Sequence, residues 1–590
     1  MDRISYLLPS PSHGRVSPLR ETRSPAPRWQ ASRCRVLPNR LGVRQHAVDS
    51  DIETVAETRS TSRFARTEGA QSSRLDQEPV LTFAANTKAQ WTVIFDADNW
   101  QALQDHLFPG DRDEHGAILF AGFAEGRDGP RLLIREVLPA IDGVDYVPGQ
   151  RGYRALNPTF IAGAASRARN EGWSYLAVHC HGGRGSVSFS SVDLASHERG
   201  YPSLVQITGQ PVGALVLAEN AIAGDLWFSD GSRSELRDAK ILDHNVLRLF
   251  PKPISHSFDS LLEFDRQARM FGDAGQNALA SMRVGVVGLG GAGSMAADML
   301  ARLGVGCLVL IDPDRIESSN LSRIVGSSRS DLEGSAGRPR RHIWHHGTKD
   351  SALKVDIAAR NISESGLGTE LQLFPTSTND YSAVEALKLC DWIILAADSQ
   401  LARLTVNAIS HAYLIPSTQI GVKIPVDSKT GDVGQIFTVV RKILPHVGCL
   451  WCNGLIDPTE LQLEVTGEEG VRARAYVGPD APAPSVIALN GIAVSMAVCD
   501  LLLSTVGLAL QSRKGMPGAT YLRFLPREEK LFHDEPRSDL SCPYCGHDLT
   551  SLRAKGDAVI LPISHSSDGG KVVASRKSMR LRLPWTQERA

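Results

Sequence analysis

The chain has 590 residues, too many for one compact unit at roughly 150 residues per domain. Its 42% hydrophobic and 22% charged content is that of a globular protein rather than a disordered, collagen-like or membrane-embedded one. Lys+Arg 64 against Asp+Glu 65 leaves a net charge of -1, so no global field directs the chain to nucleic acid or an anionic membrane.

Residues 1–50 carry nine Arg, no Lys and three acidic residues among Pro and Ser, without helix or strand period. Residues 1–88 therefore read as a disordered leader; an organelle transit peptide, which shares that bias, is the alternative. From 89 to 250, apolar runs at Trp91–Phe95, Ala117–Phe123, Arg131–Leu138, Tyr175–His179 and Val212–Ala218 predict strands, and Thr159–Asn170 predicts a helix. These make a small α/β domain.

His179-Cys-His181 ends one of the strands. Side chains alternate faces along a strand, so His179 and His181 project from the same side. Asp193, after a Gly/Ser loop, adds an oxygen. Three protein ligands would leave a fourth tetrahedral position for water, the arrangement of a catalytic zinc. Glu114-His-Gly-Ala-Ile118-Leu119 stands before the strand Ala117–Phe123. Together these motifs resemble the JAMM (JAB1/MPN/Mov34) metalloproteases. The resemblance implies that His179, His181 and Asp193 hold zinc, that Glu114 is the general base and that Ser190 stabilises the oxyanion. It also implies removal of ubiquitin-like proteins from amines.

The Pro-bearing stretch within 251–260 predicts a linker. After it, Val284-Gly-Val-Val-Gly288 predicts a strand, and Gly288-Leu-Gly290-Gly291-Ala-Gly293 a turn into a helix where backbone N–H groups approach phosphate. Cys307–Ile311 follows as a second strand, with Asp312 at its end, the order of a doubly wound parallel sheet. Up to here an NAD(P)-dependent oxidoreductase is an alternative. The flanks point elsewhere: Arg266 in Phe264–Gly272, then Asp312-Pro-Asp-Arg-Ile-Glu-Ser-Ser-Asn320-Leu-Ser-Arg323, then Lys354, then Asp398 after the strand Trp392–Leu395.

This series, over 261–550, resembles the ThiF/MoeB-like adenylyltransferases of the ubiquitin-activating enzyme superfamily. It implies that Asp312 takes the ribose hydroxyls of ATP, Asn320 the phosphate region and Asp398 Mg²⁺. Arg323, Lys354 and Arg266 would neutralise the triphosphate, Arg266 from across a homodimer interface. Ile324 stands where the family has Gln, and Ser399 where it has Asn. A basic insertion, Arg338–His346, separates Arg323 from Lys354.

Cys449-Leu-Trp-Cys452 and Cys542-Pro-Tyr-Cys545 are two knuckles able to close a structural Cys₄ zinc site. Pairs of this kind in a chain with nine cysteines favour a reducing, cytoplasmic compartment. The apolar run Ser485–Gln511 is broken by Asn490 and Asp500 and reads as a buried helix. No Cys lies between Cys452 and Ser485, so adenylation without an internal thioester is expected. Residues 551–590 read as a basic solvated tail.

The expected architecture is thus an α/β JAMM-like zinc domain followed by a doubly wound Rossmann-like adenylation domain with a Cys₄ knot. The expected cofactors are two Zn²⁺, ATP and Mg²⁺. The expected partner is a ubiquitin-like or sulfur-carrier protein ending in Gly-Gly, adenylated by one domain and trimmed or deconjugated by the other. A conjugating-enzyme-like or sulfur-transfer protein would follow it, with no role for nucleic acid or membrane. A catalytically silent scaffold is a further alternative.

Overall fold

The computed structural model describes residues 89–149, 152, 154–253, 262–332, 351–427, 429–445, 447–466, 484–509 and 521–564. The expected leader, most of the linker, the basic insertion and the chain beyond 564 lie outside them.

The first lobe runs β1 (Trp91–Asp96), α1 (Ala97–Leu107), β2 (Gly116–Ala124), β3 (Arg131–Pro139), α2 (Pro158–Glu171), β4 (Ser174–Cys180), α3 (Ser191–Thr208), β5 (Val212–Ala218), β6 (Ala221–Trp227), β7 (Arg233–Leu242) and β8 (Val246–Leu249). Its sheet order is β1-β3-β2-β4-β5-β6-β7-β8, and β1 also pairs with β7, so the sheet closes on itself. Trp91, Phe95, Leu119, Leu176, Leu215 and Leu236 pack together in one core cluster of this lobe. A Cβ on Gly224 would meet the Trp91 ring at 2.8 Å, which is why that strand position is glycine. Helix α2 starts as its sequence dictates: Asn157 accepts from Thr159 N–H, Pro158 occupies the first turn, and Gly172 ends the helix at φ +74°. The expected strands are present with ends shifted by at most two residues. β6, β7, β8, α1 and α3 are additional to the expected elements.

The second lobe runs α4 (Asp265–Ser281), β9 (Arg283–Val287), α5 (Gly291–Arg302), β10 (Cys307–Ile311), α6 (Lys354–Ser365), β11 (Glu370–Phe374), α7 (Tyr381–Leu387), β12 (Trp392–Leu395), α8 (Gln400–Ala412), β13 (Ser417–Lys423), β14 (Phe437–Ile443), α9 (Pro458–Val465), α10 (Ile487–Thr505), β15 (Tyr521–Leu525) and β16 (Lys530–Asp534). Its order is β11-β10-β9-β12-β13-β14-β15-β16, parallel as far as β13 and antiparallel beyond. The order reverses at β9, with β10 on one side and β12 on the other. Open sheets of this kind bind ligands at the carboxyl ends of the strands beside that reversal. Helix α10 is long and apolar enough to cross a membrane. Here its Val494, Ala497, Val498 and Leu501 pack with residues of β9 and α5 in one core cluster.

The expected solvated tail is corrected by the structure for residues 551–564. Ser551, Arg553 and Ala554 are buried, and the segment forms a clasp between the lobes. Arg553 pairs with Asp96 of the first lobe at 2.7 Å, both side chains at most 3% exposed. Arg135 of β3 donates to the carbonyls of Arg553 and Asp548 and to Ser551 Oγ. Glu125 N–H and the Tyr413 hydroxyl both donate to Asp557. Gly122 makes room for this, since a Cβ there would collide with the Ala554 carbonyl. Removing one partner of a buried ion pair costs about 3–5 kcal/mol, because the other charge stays buried alone. Arg553→Ala should therefore lower stability by that order, measured by denaturant unfolding of the full chain; a change below about 1 kcal/mol would contradict the clasp.

Candidate functional site

In the first lobe, β4 presents His179 near its end, and His181 follows directly after the strand. Their Nε2 atoms lie 3.1 Å apart, and each is 3.6 Å from Asp193 Oδ2. Asp193 sits in the first turn of α3, whose N-cap is Ser190. Burial raises the Asp193 carboxyl, but hydrogen bonds from His179 and Ser190 outweigh it and hold the group well below the usual carboxylate range. One ligand atom from each of the three residues falls within 4.8 Å of the others. Two imidazole nitrogens and a carboxylate this close fit a single tetrahedral ion with Zn–N and Zn–O bonds of about 2.0–2.2 Å. Glu114 Oε1 is 3.9 Å from His181 Nε2, and its backbone is anchored by Glu114 N–H donating to the Gly152 carbonyl.

Ser190 is placed differently from expectation. Its hydroxyl donates to Asp193 Oδ2 at 2.6 Å, and its Oγ accepts from Asp193 N–H, a reciprocal cap on α3. The hydroxyl holds the Asp193 carboxylate, so this geometry gives it a positioning contact in place of the expected oxyanion donor.

In the second lobe the glycine turn joins β9 to α5. Gly288 has φ +85°, and a Cβ there would press on the backbone of Ala396 and Ala397, which leads to Asp398. A Cβ on Gly293 would overlap the Gly288 carbonyl, and one on Gly291 would strike Asn490 Nδ2 and lie 3.2 Å from Arg323. Gly290 is the N-cap of α5 and has open space around it. Asp312, after β10, accepts from Leu289 N–H of the turn at 2.6 Å and from Asp314 N–H at 2.8 Å. Lys354, opening α6, lies 3.6 Å from Asp312 and 2.6 Å from Asp314. Burial raises the Asp312 carboxyl, and the Lys354 charge opposes that.

Arg323 donates to the Ser319 carbonyl at 2.6 Å on the rim of the turn. Asn320 is buried and accepts from Glu317 N–H, which shapes the turn between Asp312 and Arg323. Asp398 is exposed beyond β12, beside the helix N-terminus of α8. These residues meet at the carboxyl ends of β9, β10 and β12. Arg266 does not join them: it is exposed on the first turn of α4 and makes no hydrogen bond or ion pair among the described residues.

The two departures from the expected motif have structural reasons. Ile324 is buried against Ile316 and Ile357, a place for an apolar side chain. Ser399 caps α8 by accepting from Ala402 N–H at 3.0 Å, a task at which Ser and Asn are equivalent. Two residues of the site were missed from sequence. Asn490 reaches the glycine turn from α10, and Glu464 of α9 accepts from Gln400 and Leu401 N–H at 2.9 Å each, covering the α8 N-terminus beside Asp398. Asn490 was visible as the polar break in an apolar run; nothing local marks Glu464.

The four thiolate sulfurs converge. Cys449 and Cys542 Sγ are 3.7 Å apart, Cys452 and Cys545 Sγ 3.6 Å, and all four lie within 4.8 Å of one another. Four Zn–S bonds of about 2.3 Å give a tetrahedral edge near 3.8 Å. The donor set thus fits zinc. Structural zinc binding contributes folding free energy directly. Cys542→Ser should remove one metal equivalent by elemental analysis and lower the Tm; full metal content in the variant would refute the assignment. Of the remaining described cysteines, Cys180, Cys307 and Cys390 are buried, while Cys499 is exposed on α10.

The ThiF family model matches residues 264–522. The SAMP-activating enzyme E1 of Haloferax volcanii is 30% identical over 191 residues, 30% of this chain and 67% of that protein. The adenylyltransferase and sulfurtransferase UBA4 of Saccharomyces cerevisiae is 28% identical over 219 residues, 36% of this chain and 44% of its own length. The sulfur carrier protein ThiS adenylyltransferase of Bacillus subtilis is 27% identical over 210 residues, 33% and 54% of the two chains. The chain thus spans about half the length of the first two relatives it was matched to by name as adenylyltransferases, and two thirds of the Haloferax enzyme.

Proposed function

Because the chain belongs to the ThiF family through residues 264–522, we propose that it adenylates the C-terminal carboxylate of a ubiquitin-like or sulfur-carrier protein at the expense of ATP. The observation that carries this reading is the meeting of Arg323, Lys354 and Asp312 with a glycine turn that admits no Cβ at Gly288, Gly291 or Gly293. Open backbone N–H groups at a helix N-terminus receive phosphate. In this reading Asp312 takes the ribose hydroxyls and Asp398 a divalent cation. Arg323 and Lys354 supply positive charge where pyrophosphate leaves, the type of electrostatic aid that adenylyl transfer requires. An oxidoreductase has no use for these cations. In a homodimer, Arg266 of one protomer would complete the charge at the site of the other. The test is ATP–pyrophosphate exchange, dependent on a partner protein ending in Gly-Gly; no exchange with any such partner would overturn the reading.

A second activity is favoured by the His179, His181 and Asp193 cluster with Glu114 beside it. In this reading the first lobe is a zinc peptidase or isopeptidase acting on the same partner. Bound zinc would supply a water whose pKa is near 7. Glu114, beside His181, would serve as the group that accepts and returns a proton, while Ser190 would keep the Asp193 carboxylate oriented toward the two imidazoles. A C-terminal Gly-Gly suits both sites, because only glycine lacks a Cβ and passes narrow channels easily.

A further inference from the structure

Between the lobes lies a cavity of about 250 Å³, away from both candidate sites. Its walls come from the β2–β3 turn, β7 and β8 on one side, and from the end of α4, the start of β12 and the chain after α8 on the other. Five cations line it: Arg127, Arg131, Arg237, Lys240 and Arg248. Among the described residues, three carboxylates form ion pairs with them. Asp128 pairs with Arg127 and Arg237, Asp238 with Arg237 and Arg248, and Asp391 with Lys240 at 2.6 Å. Two positive charges are left over.

Arg131 is where the surplus is felt most. It has no carboxylate in ion-pair range among the described residues; its guanidinium donates to the carbonyls of Glu125 and Lys388, and its Nε is buried without a partner. Burial, the largest influence on it, draws the Arg131 pKa down. Asp391 and Asp557 act on Arg131 from beyond ion-pair range and do not outweigh its desolvation, a cost that a bound anion in contact would reduce. Apolar side chains complete the lining, Ile94 and Leu242 from the first lobe and Met282 and Trp392 from the second.

We propose that this cavity binds a small phosphomonoester, its phosphate among Arg131, Arg237 and Arg248 and its body against the apolar side chains. A phosphate dianion matches the surplus of two charges; Arg237 already donates to Asp128, Asp238 and Thr92 and would act through its charge, while Arg131 and Arg248 would supply N–H contacts. The volume is just below the range of about 300–1,000 Å³ usual for ligand pockets, which limits the body to about the size of a sugar. Because residues of both lobes line the cavity, the ligand also ties one lobe to the other. The assignment draws nothing from the adenylation reading.

The test is isothermal titration of the full zinc-replete chain at low salt with ribose 5-phosphate, inorganic phosphate and succinate. Ribose 5-phosphate is expected to bind wild type and Arg323→Ala equally, and to bind more tightly than either other probe. Arg131→Gln and Ser281→Phe should each weaken it at least tenfold. Ser281→Phe fills the cavity without removing a charge, so the site can still be judged if Arg131→Gln fails to fold. The proposal is overturned by absence of binding to wild type, by succinate or free phosphate binding as tightly as the ester, or by affinity lost in Arg323→Ala and kept in the cavity variants.

Discussion

Arg323→Ala is expected to reduce ATP–pyrophosphate exchange by about 10²–10³-fold, the loss typical when one preorganised charge donor is taken from a transition state. The structure makes this a clean experiment. The Arg323 side chain lies over Gly291 and donates only to the exposed Ser319 carbonyl, so its removal leaves no buried group unpaired. The Tm should hardly change. Asp398→Asn should cause a comparable loss for a different reason: in the proposed site the exposed carboxylate at the carboxyl end of β12 would hold Mg²⁺, and the amide keeps its shape without its charge. Raising Mg²⁺ should partly rescue Asp398→Asn and leave Arg323→Ala unaffected. Exchange that survives both substitutions would remove the adenylation site from this crevice. Substituting Cys307, Cys390 and Cys499 together should leave exchange intact, provided the variant folds. The attacking group is then the partner's own carboxylate, and a reductant-sensitive band joining enzyme and partner would contradict that.

Glu114→Gln is the second large effect. The amide retains the volume and the anchoring N–H bond to Gly152, yet cannot accept and return a proton. General acid–base catalysis contributes about 10²–10⁴-fold. Cleavage of a ubiquitin-like protein's C-terminal extension should fall by that factor, while the metal content stays at the wild-type value, since Glu114 is not one of the three clustered ligand residues. Ser190→Ala separates positioning from chemistry. It removes one of the hydrogen bonds that keep the Asp193 carboxyl low. Metal affinity should therefore fall more than the rate of the metal-saturated enzyme. A loss of rate at full metal loading with unchanged affinity would restore Ser190 as an oxyanion donor.

How much of this was legible in the residues depends on the range of the interactions involved. The glycine turn, His179 and His181, and the two Cys-x-x-Cys knuckles could be read directly, because each encodes its geometry within a few residues: a turn without Cβ atoms, two side chains on one face of a strand, two thiolates gripping one ion. The parallel sheet followed from the order of strand, helix and strand. The tertiary structure alone decided the rest. Asn490 and Glu464 reach their sites from helices far along the chain: the polar break marks Asn490 without saying what it reaches, and nothing local marks Glu464. Ser190 carries the residue type that the motif leads one to expect, but the cap it forms on α3 turns its hydroxyl toward Asp193. Residues 551–564 were read with the basic stretch that follows them, although they hold the apolar run Val559-Ile-Leu-Pro-Ile563; Arg553 finds Asp96 buried 457 positions earlier and becomes the clasp between the lobes. Charge surplus in the cavity is likewise invisible to a net charge of -1, since pairing is a matter of which carboxylates lie within about 4 Å. Local sequence settles conformation over a few residues, and long-range packing settles which charges are paired, buried or left over.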